Sequence, residues 1–171
     1  NFISEDLFGE KYGYETSVSN TMVSHLNEKK TRFIKNKFIE KKSKILDIGC
    51  NDGTFLNLFN KSFDLYGIDP TAIKFQKYYK KNIKLVTEYF SKTNLFKFFK
   101  SEIKFDLITS FAIFYDINNP NKFCNDISNL LKDNGVWVCE ISYLPLMLKN
   151  LTFDQICHEH LTYYTLSVFE K

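Results

Sequence analysis

The side chains with the most evident chemistry stand together near the end of the chain, in ICHEHLTYY, Ile156–Tyr164. Two imidazoles flank a carboxylate (His158, Glu159, His160), Cys157 precedes them, and Tyr163 and Tyr164 follow. These residue types suit a metal site, a catalytic base with supporting groups, or plain packing. Zinc sites such as HExxH space their histidines one helical turn apart, and HEH does not. In an extended segment His158 and His160 would share a face, but no second cysteine or carboxylate cluster stands nearby to complete a ligand set. No metal is therefore expected, and His158 reads as a structural histidine bonded to backbone. Tyr163 and Tyr164 could line a pocket, although one of two neighbours must turn toward the core.

A second chemical stretch is LDIGCNDGTFL, Leu46–Leu56. Gly49 and Gly53 bracket a tight turn in which backbone N–H groups can approach a ligand closely. Asp47 precedes the turn, where a carboxylate can meet a cationic amine. A dinucleotide loop of the GxGxxG type needs a different glycine spacing, and Asn51 stands where its middle glycine would be. The expected ligand therefore carries an ammonium rather than a pyrophosphate. Further on, Asp69 can accept both hydroxyls of a ribose, or it can cap the helix that Pro70 opens.

Alternating strand and helix patterns must position these groups. Strands are expected over Lys44–Gly49, Phe63–Asp69, Ile83–Phe90, Phe105–Phe111 and Val136–Ser142. Helical spacing is expected over Phe55–Lys61, from Pro70 through Tyr79, over Lys92–Phe99, and from near Pro120 to Lys132, with a turn at Asp133–Gly135. Apolar strands alternating with helices predict a doubly wound α/β domain on a mostly parallel sheet, with ligands outside the carboxyl ends of the strands. Trp137, Cys124 and Cys139 read as core. His25 reads equally as a packed residue or one facing the ligand, and Glu140 as a residue shaping the site or capping the next segment.

Composition narrows the class. The 171 residues suit one domain, and 44% hydrophobic with 17% aromatic residues make a globular core. The formal charge is only +3, and the densest basic cluster (Lys29, Lys30, Arg32, Lys35, Lys37) reads as a solvated helix face. No basic face interleaved with aromatics is visible, so no nucleic-acid partner is expected. No apolar run could span a bilayer. The four scattered cysteines suggest neither a zinc ribbon nor a disulfide scaffold, and a reducing, cytoplasmic setting is expected.

Leu46–Leu56 followed by GIDP, Gly67–Pro70, resembles the cofactor motifs of class I S-adenosylmethionine-dependent methyltransferases. The resemblance implies that Asp47, Gly49, Cys50, Asn51 and Gly53 surround the methionine part of S-adenosyl-L-methionine. It places Asp69 on the ribose and Glu88, Tyr89 and Phe90 near adenine. Two outer stretches, Glu10–Leu26 and Phe153–Leu166, with Phe111–Pro120 between them, resemble sugar C-methyltransferases, which act on nucleotide-linked deoxysugars and related carbohydrate precursors. That resemblance implies His160 as general base, Glu159 beside it, and a tyrosine from the N-terminal motif, with Tyr14 preferred to Tyr12. Where some relatives carry a histidine after the fourth strand this chain has Tyr115, and Cys157 replaces a tyrosine. An O- or N-methyltransferase, or a cofactor-binding fragment without activity of its own, is the alternative.

Methylating carbon makes these types sensible. A keto sugar losing a proton beside its carbonyl becomes the nucleophile, so a base near neutrality and donors for the enolate oxygen are required. The family's sheet has two further strands that the chain does not supply. The expectation is thus a helical, substrate-side segment over 1–43 and an incomplete cofactor-binding core over 44–171, whose open edge flanking domains of a larger protein would cover.

Overall fold

The computed structural model of the chain describes residues 12–157 and 159–171. His158 and the first two residues of the Glu10–Leu26 motif therefore lie outside the described residues. One sheet holds β1 (Lys44–Ile48), β2 (Asp64–Ile68), β3 (Ile83–Val86), β4 (Phe105–Phe111) and β5 (Leu131–Glu140). The order is β3-β2-β1-β4-β5, and every neighbouring pair is parallel. Around it lie α1 (Asn20–Lys35), α2 (Thr54–Asn57), α3 (Lys92–Phe99), α4 (Pro120–Leu130), α5 (Leu144–Asn150) and α6 (Leu166–Phe169). This is the doubly wound α/β architecture expected from the sequence.

Side chains alternate along each strand, so the central strands are apolar on both faces. Ile45, Leu65 and Leu107 pack with Leu26 and Phe33 of α1 and with Phe55 and Leu56 of α2. Leu46, Tyr66 and Ile108 point the other way, toward Leu95 of α3 and Phe123 and Ile127 of α4. Ile45, Leu46, Leu65, Leu107 and Ile108 are fully buried, and truncating one of these aliphatic side chains to alanine would cost about 2–5 kcal/mol. The helices start where their caps allow. Ser19 accepts the Met22 N–H at α1, and Asn119 accepts the Lys122 N–H at α4, with Pro120 in the first turn.

Strand order runs outward from β1 to β3 on one side and from β4 to β5 on the other. β1 and β4 thus flank the switch point, with Asp47 opposite Thr109 and Ile48 opposite Ser110. Ligands of such sheets bind there, beyond the carboxyl ends.

Local boundaries differ from the sequence pattern for identifiable reasons. The Phe55–Lys61 helix stops at Asn57: Leu58 and Phe59 N–H groups turn back to Phe55 and Leu56, and Asn60 holds Ser62 in a tight side-chain turn. Pro70–Tyr78 is a 3-10 helix, and the third strand ends at Val86 rather than Phe90. α4 gives way to β5 at Leu131, not Lys132. The turn expected at Asp133–Gly135 is instead part of β5, which begins at Leu131 rather than Val136 and takes up these residues in a register shift: Phe105 pairs with Leu131 but Leu107 with Val136. Trp137, Cys124 and Cys139 pack against the core while staying partly exposed. Among the described residues, no helix is long and apolar enough to cross a membrane.

Candidate functional site

A cavity of about 910 Å³ opens at the carboxyl ends of the strands. Asp47, Gly49, Cys50 and Asn51 enter it from the β1 turn, Asp69 from the end of β2, and Tyr89 and Phe90 from beyond β3. Tyr115 follows β4, Tyr12 and Tyr14 come from the N-terminal segment, and Cys157, Glu159 and His160 close another wall. The groups singled out from the sequence thus meet in one place. Two do not line it: Gly53 completes the turn behind Asn51, and Glu88 is solvent-exposed. Tyr163 and Tyr164 stay out as well. Tyr164 packs in the core against Phe114, and the Tyr163 hydroxyl donates to the Gln155 carbonyl.

The turn needs its glycines. Gly49 and Gly53 have φ of +71° and +78°, in the left-handed region that disfavours side chains. A Cβ on Gly49 would sit 2.0 Å from Ile113 Cδ1, and one on Gly53 2.7 Å from the Tyr79 ring. Tyr79 fastens the same turn by donating its hydroxyl to the Asn51 carbonyl at 2.7 Å. The Cys50 thiol is buried beneath it and pushed well up by that burial, so it stays protonated.

Two carboxylates set the electrostatics of this end. Asp47 is buried, and its described side-chain partner is the Thr109 hydroxyl, which donates at 2.6 Å. Burial raises its pKa to about 7 against that hydrogen bond, and Asp69 adds to the rise. Asp69 accepts the Asn51 N–H on Oδ2 at 2.8 Å, and the Thr71 N–H and hydroxyl on Oδ1 at 2.6 and 2.7 Å. The helix-cap role is therefore present. It does not exhaust the carboxylate, which has about four acceptor positions.

At the other end, the His160 ring lies 4.0 Å from that of Tyr115, centroid to centroid. His160 Nδ1 lies 2.8 Å from the Gln155 carbonyl. A carbonyl can only accept, so Nδ1 is the donor, and in the neutral ring Nε2 is the nitrogen that keeps the lone pair. The Tyr115 carbonyl accepts the N–H groups of Leu161 and Thr162 at 2.9 and 3.2 Å, which pins this loop to the segment after β4. Tyr12 is the more enclosed of the N-terminal tyrosines, since Tyr14 is 45% exposed. Burial and then Asp116 push the Tyr12 hydroxyl up to about 12, and the same two causes push Tyr115 up further.

Asp116 was not among the expected site residues. It lines the cavity, its Oδ1 is buried without a hydrogen-bond partner among the described residues, and burial followed by Glu159 raises its pKa to about 8. The visible signal was an acid shortly after a strand end, in FAIFYDINNP. Glu140 resolves into a clamp: it reaches His25 Nε2 at 2.9 Å and Lys29 Nζ at 2.6 Å, both on α1. Burial works against its charge, but the bonds from Lys29 and His25 outweigh it and hold the carboxyl below the usual range. Among the described residues, no group of three or more His, Cys, Asp or Glu side chains is placed to hold a metal ion.

A glycine turn at the switch point, with a buried acid before it and a second acid at the next strand end, marks the ligand side of this doubly wound α/β domain. A family model described as "Methyltransferase domain" matches residues 22–171. The chain belongs to this family of class I methyltransferase domains, so its cofactor is S-adenosyl-L-methionine. It is 25% identical over 170 residues to the C-methyltransferase NovU of Streptomyces niveus, covering 94% of this chain and 38% of that protein. It is 31% identical over 124 residues to a ubiquinone biosynthesis O-methyltransferase of Pelagibacter ubique (strain HTCC1062), covering 71% of this chain and 50% of that protein. The chain thus spans half or less of the length of these curated relatives. Among solved structures, the plantazolicin methyltransferase BamL, crystallised with a triazolic desmethylPZN analog and SAH, superposes with a TM-score of 0.67. It is 21% identical, and the match covers 88% of this chain and 60% of that one.

Proposed function

We propose that this domain methylates a carbon atom of a nucleotide-linked keto-deoxysugar or a related carbohydrate precursor, with His160 as the general base. The observation that carries the reading is the contact of His160 Nδ1 with the Gln155 carbonyl at 2.8 Å. It fixes Nδ1 as the donor, so that in the neutral ring Nε2 is the nitrogen free to accept a proton, on a ring that lines the same cavity as the glycine turn. The similarity to NovU across most of the chain supports carbon as the acceptor atom.

The cavity fits the cofactor. Asp47 lacks a cationic partner among the described residues and would meet the ammonium, Asp69 keeps about one further acceptor position, on Oδ2, for a ribose hydroxyl, and Tyr89 and Phe90 would flank adenine. When bound, S-adenosyl-L-methionine supplies an electrophilic methyl group on sulfur. The protein must then create and orient the nucleophile. His160 Nε2 takes a proton from the carbon beside the sugar carbonyl, and Glu159 lies next to it in the wall. Tyr12 and Tyr115 remain protonated at neutral pH and donate to the enolate oxygen. Asp116, with its pKa near 8, holds a proton below that pH and is a third donor. Asp47, Asp69, Glu140 and Glu159 put carboxyl groups in the wall, and its lysine, Lys122, is paired with Asp126, so the sugar belongs inside and the diphosphate outside. In this proposal the segment up to residue 43 serves the substrate side, and flanking domains cover the sheet edge.

Incubation of the full protein with methyl-labelled cofactor and keto-deoxysugar nucleotides tests the reading by the position of the label. A methyl bonded to carbon, shown by carbon–carbon coupling in NMR, supports it. A methyl on oxygen or nitrogen establishes the second reading, a small-molecule O- or N-methyltransferase, which the similarity to the Pelagibacter O-methyltransferase favours.

A further inference from the structure

Asn51 occupies the left-handed region at φ +48°, where glycine would sit without a side-chain penalty. Its polar atoms are all engaged, in two directions. The N–H donates to Asp69 and the carbonyl accepts from Tyr79, which ties the backbone to the cofactor acid and its neighbouring helix. The side chain faces away from these, toward the segment that carries Tyr12 and Tyr14. Nδ2 donates to the Tyr14 carbonyl at 3.0 Å, and Oδ1 accepts the Thr16 N–H at 3.1 Å and the Thr16 hydroxyl at 3.2 Å. Asp52 continues the seam by accepting the Ser17 N–H at 2.7 Å. Asn51 and Asp52 are 7% and 2% exposed, so these bonds are shielded from water. Lys74, from the helix after Asp69, adds a bond to the Tyr12 carbonyl.

We infer that Asn51 is a positioning residue that couples the cofactor side of the cavity to the acceptor side. Cofactor on Asp69 stiffens the turn. The stiffened turn holds residues 12–18 in place, and Tyr12 is thereby set in the wall before the acceptor arrives. Binding is ordered, cofactor first. A glycine at this position would keep the turn and lose the coupling, whereas asparagine, which tolerates the left-handed region better than most side chains, supplies both. The inference rests on the methyltransferase reading of the site and adds a residue to it.

Asn51→Gly tests this, because glycine accepts the observed φ and the fold survives. Amide hydrogen exchange of residues 12–19 is measured with and without S-adenosylhomocysteine, alongside calorimetric affinity and melting temperature. In the unsubstituted chain the ligand slows exchange of 12–19. In Asn51→Gly the melting temperature stays within a few degrees, because the backbone bonds to Asp69 and Tyr79 remain, and affinity falls by no more than the protection that the ligand gives residues 12–19 in the unsubstituted chain. Exchange of 12–19 rises about tenfold or more, and the ligand no longer slows it. Thr16→Val, which removes one of the bonds, shows a smaller rise in the same direction. Equal protection of 12–19 in the two proteins without ligand, or an equal ligand effect in both, overturns the inference. If the unsubstituted chain does not bind S-adenosylhomocysteine, the cofactor reading fails instead, and the ligand-free comparison still judges the anchoring.

Discussion

Replacing Asp47 by asparagine should stabilise the ligand-free domain above neutral pH while weakening its hold on the cofactor. Asp47 is buried beside Thr109 with no described cation to balance it, and its pKa stands at about 7 against an ordinary 3.8. A folded-state pKa above the unfolded one means that the folded protein binds the proton more tightly. The associated stability is fully present below pH 3.8, falls as pH rises toward 7, and is gone above it. The shift of about three units, at 1.36 kcal/mol each, sets a ceiling of about 4 kcal/mol. The substituted amide would not titrate, and its oxygen can still accept the Thr109 hydroxyl. Urea unfolding from pH 4.5 to 8.5 should therefore show the wild-type chain losing about 3 kcal/mol relative to Asp47→Asn, mostly below pH 7, since part of the ceiling is already lost by pH 4.5. Asp116 titrates in both proteins and cancels in the difference. Cofactor reverses the comparison: its ammonium would draw the Asp47 pKa down, so binding at pH 6 releases a proton and strengthens toward pH 8. In Asp47→Asn the affinity should be about 10- to 100-fold lower and flat with pH, as expected for loss of a charge-assisted pair. A stability gap that stays constant across this range would refute the argument, because it would mean that Asp47 is already ionised in the fold.

Two further expectations follow from the site. His160→Gln, which keeps a donor near the Gln155 carbonyl, should lower turnover by about 10²–10⁴-fold in a methyl-transfer assay while leaving S-adenosylhomocysteine affinity nearly unchanged. Gly49→Ala should destabilise the domain by about 1–3 kcal/mol in thermal unfolding, and Ile113→Ala in the same chain should restore only part of that, because the left-handed φ remains.

The sheet was legible in the sequence because β1 to β4 and the second half of β5 are short, mostly apolar runs, and strand ends locate a site by topology alone. Asp47, Asn51 and Asp69 could be placed in that way, whereas Glu159 and His160 were pointed to only by the resemblance of their loop to sugar C-methyltransferases. What the sequence did not show is mostly long-range pairing. Asn51 binding Tyr14 and Thr16, Thr109 beneath Asp47, and His25 with Lys29 on Glu140 all join segments far apart in the chain. Asp116 was missed for another reason. Its type and position were visible, but its significance lies in an unpartnered oxygen and a neighbouring Glu159, which only packing reveals. Tyr12 stands out over Tyr14 on the same ground, since two tyrosines one residue apart differ only in how the segment crosses the cavity. The second helix shortened because Asn60 captured the turn ahead of β2, a local side-chain bond that apolar spacing does not register.

The central claim is that the cavity beyond β1 and β2 is the cofactor site, and calorimetric titration with S-adenosylhomocysteine tests it most directly. One-to-one binding by this chain is expected, with a loss of about tenfold or more in Asp69→Ala, checked by circular dichroism to remain folded. A folded chain that takes up no ligand, or a folded Asp69→Ala that binds as well as the original, would contradict it.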